Sequence, residues 1–374
     1  MNIEINENVL ITGVSGLIGS RLARSLAQAG YNVIGFDLKQ PKSPIAEEGF
    51  NWYSCDLTNH NDVQNKLALV ANKHGRHFAS VIHLAAYYDF SGADSPLYDE
   101  LTVGGTETLI RKLYMLDVEQ FVFSSTILVM DQAREPGIKI TESSPIKPEW
   151  LYPKSKLRTE KLLEDQHKHI PVVILRIAGV YDDYCHSPPI AHQIERIYEK
   201  QLESYFFPGN PEHGQPFIHL DDLTACFKQV INFRPNLGTF ETFLIGEEDI
   251  VAYSDLQELI GTTLHGKNWP TIKIPKTAAK VGAWVKDKIT PEKEFIQPWM
   301  IDLADAHYPI DISKAKALLN WQPEHSLRTH LPIILHNFLN DPEWWYEQNH
   351  LRFEGKEIPG ASVEKRAEAS NLSA

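Results

Sequence analysis

The stretch VLITGVSGLIG, residues 9–19, runs from an apolar β-branched segment through Gly13, Gly16 and Gly19 directly into a helical pattern, Leu17–Ala29. Each glycine has a separate physical task. Gly13 admits a tight turn after a buried strand at Asn8–Thr12, Gly16 lets backbone approach a ligand closely, and Gly19 lets the helix lie against the strand. The free N–H groups at the helix start, together with the positive end of its dipole, then face a phosphate. Ser15, Leu17 and Ile18 complete the segment that a bound pyrophosphate would touch.

A glycine triplet alone is weak evidence, so the following strands matter. The next β-rich run, Asn32–Phe36, leads into Asp37, 18 residues beyond Gly19. A carboxylate there accepts hydrogen bonds from adenosine ribose hydroxyls and repels a 2′-phosphate, which favours NAD. Lys39, close by, keeps NADP as the alternative. Further strand patterns at Asn51–Cys55, Ser80–Leu84, Gln120–Ser125 and Pro171–Ile177 alternate with helical ones at Asp62–Lys73, Pro96–Leu116 and Tyr152–His167. Such alternation predicts an α/β chain: a Rossmann-like doubly wound parallel sheet with a smaller C-terminal substrate-binding lobe.

Residues 1–180 are expected to form the cofactor domain, with segments around 215–250 returning to it. Residues 181–340 are expected to form mainly the substrate lobe. There the pattern gives helices near His192–Leu202, Asp221–Phe233, Tyr253–Thr262, Lys276–Lys286 and Ile312–Leu319, and strands at Glu241–Ile245 and Thr271–Ile274. Residues 341–374 read as an extension whose last part, Glu354–Ala374, is polar and disordered, and EWW at 343–345 reads as packing.

YPKSK at 152–156 puts Tyr152 and Lys156 on one helix face, and of the fourteen tyrosines only Tyr152 has a lysine four residues on. A phenol with a pKa near 10 is a poor base, and a neighbouring ammonium is expected to lower it. Reaching neutrality takes about three units, roughly 4 kcal/mol, so a partly buried site is required. Ser124, Ser125 and Thr126 end the fifth strand, where doubly wound sheets bind ligands, so Thr126 is placed to orient a substrate oxygen.

Bulk composition narrows the class further. Hydrophobic content of 43% and charged content of 23% are ordinary for a globular chain. A net charge of -13, from 36 basic and 49 acidic residues, argues against nucleic-acid and anionic-membrane partners. The expected setting is cytoplasmic: no signal-peptide pattern opens the chain, no run is long enough to span a membrane, and Cys55, Cys185 and Cys226 are scattered as reduced thiols. No metal is expected either, because the two histidines of HSPPIAH at 186–192 are six apart around two prolines and share no helical face.

TGVSGLIG at 12–19, Asp37, CDL at 55–57, HLAA at 83–86, TVGGT at 102–106, SST at 124–126, YPKSK, FIHLDDL at 217–223 and NWQP at 320–323 occur in one order. Over about residues 8–340 the chain thus resembles the extended short-chain dehydrogenase/reductase family, which includes the NAD-dependent epimerases and dehydratases. The resemblance implies Thr126, Tyr152 and Lys156 as the catalytic set, with Lys156 also holding the nicotinamide ribose. It implies Asp56 and Leu57 beside the adenine, and Leu84, Ala85 and Ala86 along the cofactor path, with Thr102, Ser124 and Gly179 also at the cofactor. Asp222 would brace the substrate lobe, while His83 and His219 read as satisfied, partly buried imidazoles.

Three departures bear on the substrate. Thr102 stands where the family often has Asn, while Gly179 and Gln215 stand where sugar-nucleotide members carry an Asn and an Arg that contact the substrate diphosphate. Glutamine has neither the charge nor the fork of arginine. The leading expectation is therefore an oxidoreductase acting on a hydroxyl or ketone of a small, partly apolar molecule. Tyr184, Tyr205–Phe207, Trp284 and Trp299–Met300 are the candidates for its pocket, and core packing explains most of them equally well. The rivals are a nucleotide-sugar epimerase or dehydratase that keeps NAD bound, and a non-catalytic NAD(P)-binding regulator. A homodimer through the helices near 96–116 and 152–168 is expected from the resemblance, although the stripe Leu109, Leu113 and Leu116 suits a core equally well.

Overall fold

A strand can be apolar at every position only if both of its faces are covered, and the sheet is built that way. The structure, a computed structural model, describes residues 7–353 except 43–44, 46–47, 90–91, 134, 136, 280–300 and 302–303. Most of the helix expected at Lys276–Lys286, the tail from Glu354, and Trp284, Trp299 and Met300 lie outside the described residues.

Seven strands form the central sheet: β1 (Asn8–Thr12), β2 (Asn32–Asp37), β3 (Phe50–Ser54), β5 (Ser80–His83), β7 (Phe121–Thr126), β8 (Val172–Ile177) and β12 (Phe240–Ile245). Their order is β12-β8-β7-β5-β1-β2-β3, and every pairing is parallel. Alternate residues serve opposite faces. Val9 and Ile11 join one core and Leu10 the other, and likewise Val122 opposes Phe121 and Phe123. Helices α1 (Leu17–Gln28) and α6 (Leu220–Asn232) cover the first face. Helices α2 (His60–His74), α3 (Thr106–Leu113) and α4 (Leu151–Gln166) cover the second. Leu109 and Leu113 are wholly buried in this second core. The strand expected at Glu241–Ile245 is β12, the edge of the sheet beside β8.

The helix expected over Pro96–Leu116 winds differently. Tyr98–Gly105 is a π-helix, and only Thr106–Leu113 is α-helical. The Thr102 carbonyl there accepts hydroxyl hydrogen bonds from Thr106 (2.6 Å) and Thr159 (3.3 Å), which ties the π segment to α4.

Three short parallel pairs lie outside the sheet: β4 (His77–Phe78) with β6 (Asp117–Val118), β9 (Gly179–Tyr181) with β11 (Phe217–His219), and β10 (Phe206–Pro208) with β13 (Ile272–Ile274). Helices α5 (Pro188–Tyr198), α7 (Tyr253–His265), α9 (Leu327–Asn340) and α10 (Pro342–Gln348) share a separate apolar core that includes Ile194, Ile260, Leu331 and Phe338. Helix α8 (Ser313–Leu319) instead packs with the sheet, through Ala315 and Leu319. Within EWW, Trp345 is buried edge-on against Phe338 and Trp344 is exposed, so packing accounts for that motif. All three cysteines are buried and unpaired. Among the described residues no helix is long and apolar enough to cross a membrane.

Candidate active site

The chain leaves β1 through Gly13, whose φ of +72° belongs to glycine and whose N–H donates to the Phe36 carbonyl at 2.9 Å. A Cβ on Gly13 would lie 2.8 Å from the Ala85 nitrogen, and one on Gly19 would lie 2.2 Å from the Gly13 oxygen. The turn, the start of α1 and the chain after β5 are thus closed together with no room for a methyl group. Gly16 caps α1 through its backbone alone, which leaves the helix start open. Asp37, at the end of β2, is drawn to the same loop: its Oδ2 accepts from the Ser15 N–H at 2.9 Å. Leu84 follows β5 with its N–H on the Thr12 carbonyl, 3.2 Å. Asp56 follows β3 and holds Thr58 through N–H and hydroxyl bonds of 2.9 and 2.7 Å, while Leu57 beside it is buried. These groups gather at the carboxyl ends of neighbouring strands, the side on which open parallel sheets bind ligands.

Helix α4 brings Tyr152 and Lys156 to the end of β7. Lys156 is buried; its Nζ donates to the Ser124 carbonyl at 2.6 Å and lies 4.7 Å from the centre of the Phe123 ring and 5.8 Å from that of Tyr152. Tyr152 is partly covered by Tyr88, edge-on at 4.8 Å, and by Trp150 at 5.5 Å. Thr126 Oγ1 accepts from the Leu128 N–H at 3.3 Å, which leaves its own proton free to donate. Ser124 Oγ donates to the His83 carbonyl, 3.2 Å, whereas Ser125 turns to Glu160.

The electrostatics correct one expectation. The Tyr152 pKa is raised, not lowered, because burial removes water from the phenolate, with a smaller contribution from the neighbouring Tyr98. Burial also brings Lys156 down to about 7, against a smaller opposing effect of Glu160. Without cofactor, the phenol therefore retains its proton. Between about pH 7 and the ordinary 10.5 the unfolded chain holds the lysine proton that the folded chain has released. Stability should consequently rise with pH across that window. Lys156→Met should flatten this part of the slope, as measured by urea unfolding at both ends of the window; an unchanged difference between wild type and variant would show that the lysine is not depressed.

Ile18, Leu84, Ala86, Ser124, Thr126, Tyr152, Lys156 and Gly179 all line one cavity of about 530 Å³. Thr102 does not reach it: it is buried, and its Oγ1 accepts from the Tyr87 N–H at 3.0 Å. The pocket expectation is corrected in two places. Phe206 and Phe207 line the cavity, but Tyr184 packs edge-on against Trp344 and Tyr205 stacks on Trp269. Tyr88, Pro188, Arg196, Tyr253 and Tyr308 are lining residues that the sequence reading missed. No local motif marks them, since they converge from four separate segments.

The two histidines of HSPPIAH diverge, His186 to Asp182 (2.7 Å) and His192 to Glu195 (2.8 Å). His83 is fully buried with both ring nitrogens engaged, by Thr12 at 2.6 Å and Thr106 at 2.8 Å. Burial brings its pKa down to about 3, so it stays neutral. His219 behaves differently: its Nδ1 accepts from the Asp221 N–H at 3.2 Å, but its buried Nε2 has no hydrogen-bond partner.

Known proteins place this arrangement in context. Short-chain dehydrogenase/reductase family 42E member 1 of Bos taurus is 30% identical over 239 residues, covering 59% of this chain and 57% of the relative. The chain thus spans little more than half of that protein. A UDP-glucose 4-epimerase of Streptomyces lividans is 26% identical over 263 residues, covering 64% of this chain and 78% of that one. Among solved structures, the UDP-glucose 4-epimerase of Thermotoga maritima with UDP-glucose superposes with a TM-score of 0.67 at 22% identity, over 90% of this chain and all of that one, a likeness of fold. The family model for NAD-dependent epimerases and dehydratases matches residues 9–246, which run from β1 to just past β12 and include the glycine turn, Asp37, Tyr152 and Lys156. On that match the chain belongs to the NAD-dependent epimerase/dehydratase family, and NAD is the cofactor that membership assigns to it.

Proposed function

We propose that the chain is an oxidoreductase that moves hydride at a hydroxyl or ketone carbon of a small, largely apolar molecule. NAD, when bound, supplies or accepts the hydride. Tyr152 moves a proton at the substrate oxygen, Thr126 orients that oxygen through its hydroxyl, and Lys156 holds the nicotinamide ribose. The observation that carries this reading is the apolar part of the lining of the cavity that also holds Tyr152. Ile177, Val180, Pro188, Phe207 and Phe217 belong to it, and Gly179 and Gln215 line the same cavity. A Cβ on Gly179 would lie 2.8 Å from the Phe217 ring, so a diphosphate-binding asparagine at 179 is sterically opposed. The 30% identity to a relative named as a dehydrogenase/reductase supports the same reading.

The test is turnover of NAD with a panel of apolar secondary alcohols, and of NADH with the matching ketones. Net cofactor change with at least one pair is the expected result; tightly retained NAD that ignores added NADH would argue against it.

A second reading, a nucleotide-sugar epimerase, has one observation in its favour: Arg196 lines the cavity and offers a cation to a phosphate. Calorimetry with UDP separates the two, because micromolar or tighter binding belongs to the epimerase.

Cofactor choice is testable at Asp37. Asp37→Ala should weaken NADH about tenfold to a hundredfold, the loss of hydrogen bonds to a charged acceptor, and should weaken NADPH far less. Fluorescence titration of both cofactors reads this, and equal losses would contradict a ribose-binding carboxylate.

A further inference from the structure

Three histidines that no part of the proposed reaction uses come together where β11, the loop after β9 and the start of α9 meet. His219 ends β11, His325 precedes α9 and His330 lies in its first turn. One ring nitrogen from each lies within 4.8 Å of the others. His219 and His330 are buried, and Asp183 completes the group: its Oδ1 is 2.6 Å from His330 Nε2 and 3.5 Å from His219 Nε2.

We propose that His219, His325, His330 and Asp183 form a structural site for a divalent transition metal of the zinc class. Three features of the donor set argue for it. The first is the orphaned nitrogen: His219 Nε2 is buried without a hydrogen-bond partner, on a residue 2% exposed. Folded proteins seldom leave such an atom so poorly matched, with only the Asp183 carboxylate facing it at 3.5 Å, and a metal supplies a full partner once the ring proton moves to Nδ1. The second is the tautomer of His325. Its Nδ1 is 3.0 Å from Asp222 Oδ1, and its backbone N–H donates to Asp222 Oδ2 at 2.9 Å. A carboxylate on one imidazole nitrogen leaves the other with a lone pair, the arrangement that orients histidine ligands in metal sites. The third is charge. Asp183 as ligand and Asp222 behind His325 together balance a dication, so binding buries no net charge.

Three imidazoles and one carboxylate suit zinc rather than magnesium or calcium. In a tetrahedral shell with bonds near 2.0 Å the donors stand about 3.3 Å apart, so a shift of about 1 Å closes the present cluster. Coordination by His219 Nε2 moves its proton to Nδ1 and gives up the long 3.2 Å contact with Asp221 N–H. The proton between His330 and Asp183 is displaced as well. Binding therefore releases protons and weakens as pH falls. Entry is through Asp183, whose side chain is half exposed. Bound there, the metal pins α9 to the end of β11, which leads into α6.

The test uses the full chain, stripped with chelator and titrated with Co²⁺ and then Zn²⁺. The expected result is one Co²⁺ per chain with the intense visible bands of a tetrahedral ion, displaced by one Zn²⁺ that raises the unfolding temperature. His325→Gln, at a partly exposed position that does not threaten the fold, should weaken Zn²⁺ at least about a hundredfold, and Asp222→Asn about tenfold to a hundredfold. Absence of the tetrahedral bands in wild type overturns the proposal. So does Zn²⁺ binding that His325→Gln leaves unchanged, which would mean adventitious uptake by other histidines.

Discussion

Tyr152→Phe is expected to lower turnover by about a hundredfold to ten-thousandfold, the range that a positioned proton donor contributes. The Michaelis constant for NADH should stay within about threefold. The phenyl ring keeps the contacts with Tyr88 and Trp150, so the pocket retains its shape while the transferable proton is lost. Burial strengthens this expectation for the reductive direction. The phenol is held in its protonated form, which is the form that donates to a developing alkoxide. Alcohol oxidation needs the phenolate and should rise with pH over a range in which ketone reduction changes little. Turnover by Tyr152→Phe equal to wild type would remove Tyr152 from the chemistry.

Arg176→Met should destabilise the fold by about 3–5 kcal/mol in urea unfolding, the usual result of stranding one member of a buried ion pair. Arg176 Nη2 and Nε bind the two oxygens of Glu160 at 2.8 and 3.2 Å, and both side chains are only 7% exposed. Besides Arg176, Glu160 accepts a hydrogen bond from the Ser125 hydroxyl, and the variant leaves its carboxylate charge in the core. The double variant Arg176→Met with Glu160→Leu should recover most of the loss, because no charge then remains to be solvated. A single-variant loss below about 1 kcal/mol would show that water reaches Glu160. The pair matters to the site because Glu160 lies one turn beyond Lys156 on α4 and supports its ammonium.

Much of this was legible in the sequence because its physics is local. A strand covered on both faces is apolar almost throughout, as VVILRI is, and a helix position where a Cβ would meet a backbone oxygen at 2.2 Å must use glycine, as Gly19 does. The Tyr152–Lys156 spacing is likewise fixed by one helical turn. The failures arise where distant segments decide the outcome. The π winding of Tyr98–Gly105 has the same apolar pattern as an α-helix, and Thr159, far along the chain, helps to hold it. Helix α9 passes through Pro332, a residue that normally ends a helix, because burial of Leu331, Ile334 and Phe338 outweighs the lost bond. Proximity of Lys156 predicted a lowered tyrosine pKa; the structure reverses the sign because burial acts on both groups, raising the phenol and lowering the lysine. The histidine trio has no spacing signature at all, since β11 supplies one member and the α9 region the other two.

The substrate class rests on Gly179, Gln215 and the apolar residues that line the cavity with Tyr152. Deuteride transfer from nicotinamide-labelled NADH tests it most directly, with apolar ketones and UDP-sugars offered in parallel. The account predicts that one ketone gains the label at its carbinol carbon, with one NAD formed for each product. Epimerisation of a UDP-sugar, with no net oxidation of NADH and no label in any alcohol, would contradict it.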